Sequence, residues 1–194
     1  MRRFSAILPG RLVLALGLLA ITSPAALCQL NSNTATVSLN ATLAESLTVA
    51  ATPSAVNFAL VAGGTATGSA PVAITTTWVM QGSRSTVTLT GYFASATAAL
   101  TSGGTSPVNI PTSEVFGQVT TGSPTTYTAF TQSPGTGGVG VAGASLVLFQ
   151  QAISGTNRAS NRSDNLNLQI NLSSQAQLPA GTYTGTLNLQ AQAL

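Results

Sequence analysis

After Cys28 the sequence contains no cysteine, no lysine and no histidine. Those absences remove most of the catalytic repertoire. A serine or threonine nucleophile needs a base, ordinarily His and sometimes Lys, and a zinc site draws on His and Cys. With one cysteine in the whole chain, no intrachain disulfide can form, so the fold must be held by its core. Charge is equally scarce. Asp, Glu, Lys and Arg make up 5% of the chain, against roughly 25% in an average soluble domain. Beyond residue 28, Arg84, Arg158 and Arg162 stand against Glu45, Glu114 and Asp164. These balance, and the high calculated pI comes from Arg2, Arg3 and Arg11. Scattered arginines cannot grip a phosphate backbone, which excludes nucleic acid as a partner. Scattered carboxylates argue against a calcium site. A carboxylate pair can hydrolyse a glycosidic bond, but Glu45 and Glu114 read as solvated side chains at strand ends. The glycine-rich Gly135–Gly140 stretch lacks the Lys and the following helix of a phosphate loop, so it reads as a turn. The expectation is a protein that is not an enzyme and carries no cofactor or metal.

What is present begins with the N-terminus. Met1-Arg2-Arg3 and Arg11 precede a ten-residue apolar run, Leu12–Ile21, about half the length a membrane-spanning helix needs. Small Ala26 and Cys28 follow at the spacing a signal peptidase requires. Residues 1–28 therefore read as a cleaved signal peptide, with Leu27 too bulky for lipidation of Cys28. Residues 29–194 read as one domain without a membrane span, exported to the periplasm, cell surface or medium. A chain of that size can bury roughly 70% of its surface without disulfides.

In that region uncharged polar residues alternate with aliphatic ones, the period of half-buried strands. Leu166, Leu168, Ile170 and Leu172 share one face. Val72, Ile74, Trp78 and Met80 form another row, as do Val87, Leu89 and Phe93, and the segment from Thr182 to Ala193 sets Leu187, Leu189, Ala191 and Ala193 inward. Near the start, Val37, Leu39, Ala41 and Leu43 oppose Thr36, Ser38, Asn40 and Thr42. Weaker strands are expected near 46–51, 55–61, 114–119, 126–131 and 145–153. Short strands separated by Gly, Pro and Ser clusters imply an all-β, antiparallel β-sandwich or barrel. Residues 95–144, richer in turn signals, read as long loops with short strands. Trp78 reads as core. The Arg158–Asp164 stretch reads as a polar turn in which Asp164 pairs with Arg158 or Arg162.

Three stretches together resemble the pilin-like domains of the spore coat protein U family and, more distantly, chaperone–usher fimbrial subunits. They are Ala35–Leu43 directly after the signal, Pro53-Ser-Ala-Val-Asn-Phe58, and the closing Leu178–Leu189 with its Gly181-Thr-Tyr183. Two departures are Ala59, where the family carries Gly after the Phe, and the missing cysteine pair. The resemblance implies an immunoglobulin-like sandwich and self-association, or association with related subunits, by strand exchange.

The leading functional expectation is a secreted structural subunit of a surface fibre, coat or pilus-like assembly. The alternative is an extracellular adhesin or carbohydrate-binding module that uses loops in 95–144. An outer-membrane barrel would need aromatic girdles, and aromatics are only 5% of the chain. Val37, Leu39, Ala41 and Leu43 form the candidate strand-exchange row. The reading preferred over it makes residues 34–43 the first strand of a self-contained sandwich, whose sheet the strand at 182–193 already completes. The exported protein is expected to begin at Gln29. Intact-mass spectrometry checks this, and a diacylglycerol-bearing Cys28 would replace cleavage with a membrane anchor.

Overall fold

Alternation becomes strand wherever a second apolar row is available to pack against. In the computed structural model, residues 30–194 are described. The expected signal segment 1–28 and the Gln29 terminus lie outside the described residues. The chain divides between Ala41 and Thr42. Residues 30–41 carry no helix or strand and are exposed throughout.

The second unit is all-β. Its longest strand, β10 (Ala159–Asn171), pairs on one edge with β3 (Val72–Val79) and then β2 (Thr65–Thr67). On its other edge it pairs with β7 (Val115–Val119), which is followed outward by β8 (Thr128–Ala129). β1 (Ser46–Thr52) joins β3 on its far side, giving an antiparallel sheet ordered β1-β3-β10-β7-β8. The second layer is β4 (Thr86–Tyr92) flanked by β9 (Ser145–Ala152) and β12 (Asn188–Ala193). A small third sheet links β5 (Leu100–Ser102) to β6 (Asn109–Ile110) and β11 (Tyr183–Thr184). The result is an antiparallel sandwich with open edges, not a ladder closed into a barrel.

One apolar cluster joins the layers. Ile74, Leu166 and Ile170 of the first sheet meet Val87, Leu89 and Leu146 of the second, all essentially without exposure. The row from Leu166 to Leu172 and the inward Trp78 lie where the alternation placed them. Trp78 satisfies its indole by donating Nε1–H to the Asn157 carbonyl at 2.9 Å. A bulge opposite Leu89 and Thr90 lets the consecutive Leu148 and Phe149 both turn inward.

Two expectations need correction here. No strand forms over residues 34–43; the first begins at Ser46. Arg158–Asp164 is not a turn. From Ala159 it is the first half of β10, and the expected pair forms there, Arg162 Nε to Asp164 Oδ2 at 2.8 Å. Residues two apart on a strand share a face, so Arg162 and Asp164 both point inward. Thr121 Oγ1 donates to Asp164 at 2.8 Å, and the Arg162 guanidinium lies 4.7 Å from the Phe149 ring. The long loops of 95–144 carry the short strands β5 to β8, and Ile110, Val115, Val119 and Phe130 sit fully in the core. Phe130 packs edge-on against Phe93 at 5.2 Å.

The loop between β8 and β9 has a place as well. Gly137 lies against Gln192 and Gly140 against Ser145, so closely that a Cβ at either would overlap the neighbour. Only glycine, here at positive φ, lets this loop lie over β4 and β12. Thr90 is buried beneath it.

Leu166→Ala is expected to cost about 2–5 kcal/mol, the usual penalty for a truncated core leucine. Thr75→Ala, on the opposite face of the neighbouring strand, should stay within about 0.5 kcal/mol. Urea unfolding of both variants checks the register.

Candidate functional site

The sandwich is well sealed except along one seam. Among the described residues, β1 pairs its ladder only with β3, and β12 only with β4. Their outer edges approach with Cα atoms within 8 Å, yet no ladder joins them. Unpaired edges present rows of backbone N–H and C=O groups that another strand can take up.

At one end of the seam a clasp holds the edges together. Arg84, in the β3–β4 turn, meets the Glu45 carboxylate with both Nε and Nη2 at 3.2 Å. Gln81 N–H donates to the same carboxylate at 2.8 Å, and Arg84 Nη1 reaches the Ala193 carbonyl at 3.4 Å. The entry to β1 and the end of β12 are thus tied to one turn. The Arg84 hydrogen bonds, and then the Gln81 N–H, hold the Glu45 carboxyl below its ordinary value.

At the other end the seam opens into a groove of about 710 Å³. One wall is the stretch after β1, with Pro53, Val56, Phe58 and Leu60; the other is 181–189, with Tyr183, Leu187 and Leu189. Its floor is core, including Val72, Phe93, Val115 and Leu168. Burial is correspondingly graded. Core residues two strands in from that edge, such as Leu146 and Leu148 of β9, have no exposure, whereas the apolar wall residues are only half-buried. Leu189, expected in the core alongside Leu168, is one of these, because no strand covers the outer edge of β12. The expected 182–193 strand is also broken between β11 and β12. Gly185 there packs directly on the Ala99 carbonyl, a contact that a side chain would prevent.

The candidate exchange row lies outside regular structure. Val37, Leu39 and Leu43 are 82%, 90% and 83% exposed, and Ala41 is exposed as well. They are among the few large aliphatic side chains so displayed, and they keep the period of a strand.

The remaining chemistry-bearing groups are dispersed. Glu45 is held by Arg84, and Asp164 by Arg162 and Thr121. Glu114 accepts from Ser174 Oγ at 2.6 Å. Among the described residues no three metal-binding side chains cluster, and no helix is long and apolar enough to cross a membrane. Sequence reasoning missed the groove itself. Its walls come from segments over a hundred residues apart, and only the Pro53–Phe58 and Gly181–Tyr183 stretches marked them. Comparison with protein-family models, curated proteins and solved structures returns no match.

Because the Glu45 carboxyl is held below its ordinary value, the clasp's contribution is present above about pH 4.3, the unperturbed value for Glu. It is lost as the pH falls through the depressed folded value. Glu45→Gln should therefore lower the melting temperature at pH 7, and the difference should vanish under strong acid. Thermal melts at the two pH values check this.

Proposed function

We propose that this protein is an exported, non-enzymatic structural subunit that assembles with copies of itself or related subunits by strand exchange. In this reading residues 34–43 of one molecule enter the groove of the next. The single observation that carries the reading is the match between an open apolar seam and an exposed, unpaired apolar row in the same chain. Ten residues in strand form span about 33 Å, enough to run the length of β11 and β12. An inserted strand would pair its backbone with the free edges and lower Val37, Leu39, Ala41 and Leu43 onto the groove floor. Burying each of the larger three is worth roughly 1.5–3 kcal/mol before the cost of ordering the segment. Neutral walls present no charge for the donor row to overcome. The two long-range resemblances in the sequence, Pro53–Phe58 and Leu178–Leu189, fall on the two walls, which favours the same reading.

Val37→Asp combined with Leu39→Asp should leave the sandwich folded, since both side chains are exposed, and should abolish polymer formation. Circular dichroism and electron microscopy of the exported protein read the two effects. Unchanged polymers from this variant would refute strand exchange through 34–43.

A further inference from the structure

The outer face of the five-strand-wide sheet is the second feature without an assigned role. Cross-strand register builds it from ranks of small side chains. Thr48, Thr77 and Asn161 form one rank across β1, β3 and β10, and Ala50, Thr75 and Ser163 form the next. All six are exposed. None is charged, and none is longer than asparagine. The solvent face of a sheet is ordinarily where lysines and glutamates prevent stacking. Here β10 does the reverse: its charged residues, Arg162 and Asp164, turn inward and satisfy each other under the sheet. The outward row of the same strand is Asn161, Ser163, Asn165 and Asn167. By contrast, the outer face of the second layer is covered by its own glycine-rich loop over Thr90 and Gln192.

We propose that this neutral face is a self-association surface, which stacks against the same face of a second copy. The occupant follows from the chemistry. An acidic or basic partner would find no opposite charge. A sugar platform would want several exposed aromatics, and the outward residues of this sheet include one, the half-buried Phe116 of β7. An identical face meets it without repulsion. Its short side chains let two sheets close to about 10 Å and lose little rotamer freedom on burial. The sheet's strands, at about 3.3 Å rise per residue and about 4.8 Å spacing, offer roughly 600 Å² per partner, so a stack buries about 1,200 Å² in all, at the lower end of a standard interface. The contact is independent of the groove and lies on a different surface of the sandwich.

The test uses the exported chain carrying Val37→Asp and Leu39→Asp, so that groove exchange is disabled, and measures mass by sedimentation equilibrium. A dimer is expected. Thr75→Lys on that background should weaken it about tenfold or more, because a two-fold stack brings both lysines into the contact. Mixing Thr75→Lys with Thr75→Asp chains should restore a mixed dimer. If Thr75→Lys loses its fold by circular dichroism, Asn161→Lys replaces it. A background variant that stays monomeric at millimolar concentration overturns the proposal, as does a dimer indifferent to both lysines. Persisting fibres in the background variant would count against groove exchange, while the lysine series would still read the face.

Discussion

Strand β10 carries hydrogen bonds to three other strands along its thirteen residues. Its parity therefore governs both faces of the larger sheet. A slip of one residue would expose Leu166, Leu168 and Ile170 and turn four asparagines and serines into the core. The Arg162–Asp164 pair belongs to the same inward row, so the register that buries the leucines also requires that these charges be neutralised in place. Thr121 and the Phe149 ring complete that neutralisation. A buried pair of this sort contributes less to net stability than to specificity, since removing either partner leaves an uncompensated charge.

Much of this was legible in the sequence where alternation was unbroken. The inward rows of β3, β4 and the second half of β10 were read from period two alone, as was the core position of Trp78. The first half of β10 was not, because Arg, Ser, Asn and Asp are turn formers by composition. Parity held the missing signal: Arg162 and Asp164 are in phase with Leu166. β9 read weakly because its bulge buries Leu148 and Phe149 in succession, which no strict alternation allows. The break between β11 and β12 was invisible because it depends on Gly185 meeting a carbonyl eighty-six residues earlier in the chain, at Ala99.

The groove illustrates a different limit. Its apolar residues looked like ordinary core residues, since the sequence shows which side chains avoid water but not whether a layer is missing above them. Only the graded burial across the sandwich, complete near Leu148 and partial at Leu189, reveals that the second layer ends one strand short of β1. The N-terminal row carried the opposite ambiguity. Its alternation was read as a strand, yet residues 34–43 form none, having no partner within the described residues of their own chain.

The placement of the three arginines beyond residue 28 has a consequence for resistance to proteolysis. A trypsin-like protease can cut this lysine-free region only after Arg84, Arg158 or Arg162, and it must first draw several residues of extended backbone into its cleft. Arg162 lies within a strand of the larger sheet, and its side chain is locked to Asp164. Arg84 is held in the clasp, and the guanidinium of Arg158 rests on Gly82. At Arg162, cleavage must wait for the sheet itself to come apart, so its rate there follows the population of the unfolded chain. Resistance to digestion is thus written into where the few cations sit.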